Sequence, residues 1–284
     1  MIFALMSAIS HAAWNTVAKR GAGAGLPLLW VSNLIAIGAL LPIAVTVLAL
    51  HDAEPHWDWL LAGAVGALLH TAYSVLLQRG YSVADAAFVY PVSRGIAPVL
   101  VAFAGLALWQ QPLSLTGWAG IACVSLAAVG LVGGGLRAAE VLARQVAVTL
   151  ALGGAIAAYT LWDAWVVVTL GVDPLAYYVV LGALQTAVLS VLVRRRMREG
   201  LRSARAHPVI TVSLAVLVPA SYLFALVALG TTPVAVVAAI RSSSIVLASA
   251  AAVVFLGERL TVTRCASGVL AAVGVAMLAI GSRP

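Results

Sequence analysis

Charge is scarce in this chain. Asp, Glu, Lys and Arg make up 9% of its 284 residues and 63% are hydrophobic, where an ordinary soluble domain carries about 25% charged residues. With a mean hydropathy of +1.10, that excludes a soluble globular fold and places the chain in the polytopic membrane class. Long polar stretches are also missing. The only sizeable one runs from Arg194 to His207, so no extramembrane domain fits in the connections. The two cysteines, Cys123 inside one apolar run and Cys265 at the start of another, build no disulfide framework. Phosphate loop, nucleophile elbow and metal-ligand spacing are absent as well, so neither an enzyme nor a cofactor or metal is expected. The loosest cluster, His51, Asp52, Glu54, His56 and Asp58, occupies one short connection. The net charge of +7 has no basic face interleaved with aromatics, which removes nucleic acid as a partner.

Apolar length is what the chain has in abundance. Ten runs are long enough to cross a bilayer: 2–18, 26–50, 58–78, 84–109, 114–135, 146–170, 174–193, 208–229, 233–256 and 262–281. The first lacks a positive n-region and carries His11, Trp14 and Asn15, so it is expected to be a retained helix and not a cleaved signal. Lys and Arg are distributed unevenly between the two sides. Connections after spans 1, 3, 5, 7 and 9 hold thirteen of them, whereas the other side holds Arg283 with Asp52, Glu54, Asp58 and Asp173. The positive-inside rule then places the odd-numbered connections in the cytoplasm of a cell membrane, with both termini on the far side.

Two spans each carry one arginine deep within the apolar run. Arg94 sits in Tyr90-Pro91-Val92-Ser93-Arg94-Gly95, about 15 Å along its helix and so near the bilayer midplane. Arg241 sits in Ala-Ala-Ile-Arg-Ser-Ser-Ser, 147 positions later. A guanidinium at that depth costs about 3 kcal/mol on insertion scales, so it must face protein, water or ligand. The same offset, within one residue, aligns Trp14-Asn15 with Trp162-Asp163, Pro27 with Pro174, Trp30 with Tyr177, and Gln110–Ser114 with Gly257–Thr261. Two units, 1–135 and 146–281, each of five spans, must enter the membrane in opposite directions. The expected fold is an all-α integral membrane protein of ten transmembrane helices in two inverted repeats, with a site at the repeat interface.

The candidate site residues follow from chemistry. Pro91 and Pro98, three before and four after Arg94, share its helix face and free backbone carbonyls beside it. Tyr90 adds a hydroxyl four residues before Arg94, and Ser242 follows Arg241. Two intramembrane arginines face one intramembrane acid, Asp163, which leaves a positive charge for an anionic or zwitterionic small molecule to neutralise. Trp14, Asn15, Tyr73, Trp162 and Tyr222 are expected to line the same cavity. Asp163, His11 and His70 are the candidates for coupling to H+; for Asp163 a fixed ion pair with either arginine is the competing reading.

The chain resembles the EamA-type branch of the drug/metabolite transporter superfamily. The likeness rests on His11-Ala-Ala-Trp14-Asn15 with Lys19, on Val89–Gly95 with Pro98, and on Leu256-Gly257-Glu258-Arg259-Leu260-Thr261, and it extends over nearly the whole chain. It implies alternating-access export or exchange of a small metabolite, often proton-driven. Gln110-Gln111 stands where the second unit has Gly257-Glu258, so any role of that acid is not duplicated. A carrier or flippase for a lipid- or nucleotide-linked solute suits the same positive cavity, and a structural or regulatory membrane subunit is the reading from another class. Monomer and homodimer remain alternatives at this stage.

Overall fold

The computed structural model describes residues 1–20, 25–50, 56–83, 86–131, 143–256 and 261–281. These form twelve α-helices: α1 (Ile2–Arg20), α2 (Gly25–Leu50), α3 (Trp57–Val83), α4 (Ala86–Trp109), α5 (Leu115–Gly130), α6 (Ala143–Ala164), α7 (Pro174–Leu192), α8 (Met197–Ala206), α9 (Pro208–Leu229), α10 (Val234–Ser242), α11 (Ser244–Leu256) and α12 (Val262–Gly281). Eight candidate membrane spans are long and apolar enough to cross, one of them running through α10 into α11. Two shorter apolar helices, Ile2–Ala18 and Leu115–Gly130, coincide with the expected first and fifth spans. Leu68, Phe103, Leu126, Val216 and Val269 are each at least 60% exposed. Side chains of that kind are stable on an outer surface only against lipid.

Helix ends follow local chemistry. Asp173 caps α7, its Oδ1 accepting from the backbone N–H groups of Leu175 and Ala176 at 2.9 Å each, with Pro174 in the first turn where its missing donor is harmless. Ser114 does the same for α5, accepting from the Gly117 N–H at 3.1 Å. At the end of α6 the ladder widens into a π-type turn over Trp165–Thr169, which starts two residues after Asp163.

Three expectations about elements need correction. The ninth span is not one helix, because α10 stops at Ser242 and α11 starts at Ser244. There the Ser243 hydroxyl donates to the Ile240 carbonyl at 2.7 Å, a local bond that competes with the helical ladder. The Arg194–His207 connection is not a plain loop, since it contains α8. Helix α6 starts at Ala143, three residues before the expected boundary. Residues 132–135 of the fifth span and the stretch Gly257–Leu260 lie outside the described residues, as do His51, Asp52 and Glu54 of the loose histidine–acid cluster.

Packing brings α1 against α9, α10 and α11, and α6 against α3 and α4. α7 lies on α2 and α3, α9 also touches α2, α5 packs along α12, and α4 meets α10. Ser7 on α1 and Ser221 on α9 exchange hydroxyl-to-carbonyl bonds of 2.6 and 3.0 Å. Small hydroxylated residues allow this close approach and satisfy polar groups away from water.

Candidate functional site

Between these helices lies a cavity of about 260 Å³. Its deep end is walled by Arg94, Arg241, His11, His70 and Tyr222, and it extends to Gly25 and Gln78 at the ends of α2 and α3. Those ends are on the side that carries the basic connections. On the opposite side Trp109 Nε1 donates to Thr169 Oγ1 at 3.2 Å, and the Val234 N–H donates to Gln111 Oε1 at 3.1 Å.

The two arginines are buried differently. Arg94 is 2% exposed, and its Nη2 donates to His11 Nε2 at 2.9 Å and to the Tyr73 hydroxyl at 3.5 Å. A guanidinium only donates, so His11 accepts through Nε2 and is neutral in this arrangement, with Nδ1 facing Ser221 Oγ at 3.4 Å. The Tyr90 ring lies under the Arg94 guanidinium at 5.3 Å, and its hydroxyl is 3.2 Å from His11 Nε2 and 3.5 Å from Asn15 Oδ1. Pro98 cannot donate to the Arg94 carbonyl, which leaves that acceptor free of its helical partner.

Arg241 is 7% exposed and lines the same cavity. Among the described residues no hydrogen bond or ion pair reaches its guanidinium, and its Nε is buried without a partner. The Tyr222 ring, 5.9 Å from the guanidinium carbon, and the carbonyl end of α10, in whose last turn it sits, partly offset the charge.

Asp163 is 1% exposed and bonded to neither arginine among the described residues. Tyr177 donates to its Oδ1 at 2.8 Å, and His70 Nε2 is 3.4 Å from its Oδ2. The Tyr222 hydroxyl is 2.8 Å from the same His70 nitrogen. A chain of titratable groups therefore runs from the buried carboxyl through His70 to Tyr222 at the cavity wall. Tyr177 reaches Asp163 because α3 carries Gly66 at the contact, where a Cβ would stand 2.5 Å from the Tyr177 hydroxyl oxygen.

Of the residues expected to line a site, Arg94, Arg241, Trp14, Tyr73, Tyr222, His11 and His70 do so. Tyr90 and Asn15 stand one layer behind, on His11. Trp162 does not line the cavity; its indole donates to the Ala62 carbonyl at 3.0 Å and its ring packs on Trp165. Ser242 is buried outside the cavity too. Sequence reasoning missed Tyr178, Ser221 and the pair Asn33 and Gln185, bonded at 3.2 Å. The last two were visible as lone amides within apolar runs.

The fold and site together define a polytopic α-helical membrane protein with a buried, positively charged cavity of metabolite size. Residues 1–133 match the EamA-like transporter family, which bears out the resemblance over that stretch. Among curated proteins none matches this chain in sequence. A solved crystal structure 14% identical to it, covering 99% of this chain and 96% of its own, superposes with a TM-score of 0.76. At that identity the likeness concerns the fold alone.

Proposed function

We propose that this protein is a secondary active transporter that binds a small anionic or zwitterionic metabolite between Arg94 and Arg241 and moves it by alternating access. The observation that carries this is the bare Arg241 guanidinium at the cavity wall. A buried charge without a counter-ion is strongly unfavourable, and a ligand carboxylate or phosphate would remove that penalty through the planar fork. The size of the cavity favours a small solute over a lipid- or nucleotide-linked one, since pockets for drug-sized ligands span about 300–1,000 Å³.

The ten-span inverted repeat is part of this reading. Matching α1, α2, α3, α4 and α5 with α6, α7, α9, the α10–α11 pair and α12 exchanges the observed packing: α1 on α9 becomes α6 on α3, and α4 on α6 becomes α10–α11 on α1. Self-paired contacts, α2 with α7 and α5 with α12, lie on the pseudo-axis. Such an arrangement supports a site reached from each side in turn. Export fits a cavity extending toward the basic, cytoplasmic side, and the Asp163–His70–Tyr222 chain is the proposed path for a driving proton.

Two measurements test these points. A thermal-shift series on purified protein should find small carboxylates or phosphates that raise the melting temperature by mass action; stabilisation by amines alone would overturn the anion site. For orientation, single cysteines are placed in a Cys123→Ser, Cys265→Ser background and treated on intact cells with an impermeant reagent. Ser282→Cys should label and Ser203→Cys should not, and the reverse pattern would invert the topology.

A further inference from the structure

Helix α8 takes no part in the cavity, yet it is the most densely charged element. Six arginines, Arg194, Arg195, Arg196, Arg198, Arg202 and Arg205, fall within twelve residues with Glu199 as their one acid, which is five of the chain's net seven positive charges. Arg196 is occupied: its Nε and Nη2 donate to the Glu199 carboxylate at 2.8 and 2.6 Å, holding that carboxyl below its ordinary range. The other five are exposed and make no hydrogen bond or ion pair among the described residues.

Their placement is ordered. Arg198, Arg202 and Arg205 recur at helical spacing as one stripe. Met197, Leu201 and Ala204 form a second stripe about 100° away. Met197 and Ala204 pack against Trp30, Val31, Leu189 and Val193, while Leu201 stays 40% exposed between the packed face and the arginines. The apolar helices α7 and α9 end and begin at Leu192 and Pro208, so α8 between them is held at headgroup depth. An amphipathic helix at that depth, basic on its free side, has the form of an interfacial element.

The geometry points to α8 as a docking surface for anionic phospholipid headgroups, one that braces the mouth of the cavity. The unpaired arginines form an extended stripe with no concave pocket, which suits several phosphates of a leaflet better than one soluble anion. Mechanical contact with the mouth is direct. Gly200 faces Pro27 so closely that a Cβ would stand 2.6 Å from the Pro27 carbonyl oxygen, and Gly25, Leu26, Leu28 and Leu29 on either side of that contact line the cavity. Lipid held on α8 therefore restrains the first turn of α2.

The test titrates detergent-purified protein with phosphatidylglycerol or phosphatidylcholine of equal chain length and counts retained lipids by native mass spectrometry. Phosphatidylglycerol should be retained about threefold more or better. The triple variant Arg198→Gln, Arg202→Gln, Arg205→Gln should fall to the phosphatidylcholine level, and the corresponding triple Lys variant should keep most of the preference. In nanodiscs, adding phosphatidylglycerol should slow amide exchange in residues 197–206 and 25–31. Gly200→Leu should keep lipid retention and lose the protection at 25–31. Equal retention of the two lipids, undiminished retention by the Gln variant, or the same protection from inorganic phosphate in phosphatidylcholine discs would overturn the proposal.

Discussion

Arg94→Lys and Arg241→Lys should each weaken substrate binding about tenfold or more, equivalent to about 1.4 kcal/mol. Lysine keeps the charge and loses the planar fork, so a loss of this size separates bidentate anion recognition from simple charge balance. The two substitutions differ in what they disturb. At position 94 the fork also holds His11 at 2.9 Å and Tyr73 at 3.5 Å, so the Lys variant releases α1 and α3 side chains as well. At position 241 no hydrogen-bond partner is lost among the described residues, which makes Arg241→Lys the cleaner measure. Calorimetry on the wild type and both variants, each checked as monodisperse, gives the comparison. Unchanged affinity in both would leave the arginines as structural cations and remove the anion site.

Asp163→Asn should abolish net flux driven by a pH gradient while ligand binding persists. The amide is nearly isosteric, and its oxygen can still accept from Tyr177 as Oδ1 does at 2.8 Å, so the fold around α6 and α7 is retained. What disappears is the carboxyl at the end of the proposed proton path through His70 and Tyr222. Reconstituted vesicles with an imposed pH difference separate the outcomes. An Asn variant that still drives uphill movement would make Asp163 structural or the driving ion a different one.

The parts of this molecule that were legible in sequence are those whose signal is local. An apolar run announces a span by length alone, and one arginine deep within such a run marks a place that protein, water or ligand must cover, as Arg94 and Arg241 do at the cavity wall. Adjacency along the chain was a poor guide to the cavity. Ser242 follows Arg241, but consecutive helical residues point about 100° apart, and Trp162, the repeat counterpart of Trp14, shares its register without its place: neither Ser242 nor Trp162 lines the cavity. The tie between Tyr177 and Asp163 depends on the close approach of α3 at Gly66, and the Asn33–Gln185 bond joins residues 152 apart. No periodicity reports such meetings. Helix α8 is concealed by its own composition: its arginines account for membrane orientation, and the apolar stripe beside them consists of Met197, Leu201 and Ala204 alone.

The bare guanidinium of Arg241 has an electrical consequence. Counting the formal charges of Arg94, Arg241 and Asp163 alone, the empty site carries one net positive charge, and a bound monoanion cancels it. When access switches sides, a charge in the site passes from electrical contact with one solution to contact with the other, which is worth about 2.3 kcal/mol per 100 mV. On the proposed reading, then, membrane voltage acts on the return of the empty carrier and leaves the loaded step nearly untouched. An inside-negative potential would hold the unloaded site facing the cytoplasm, ready for the next substrate.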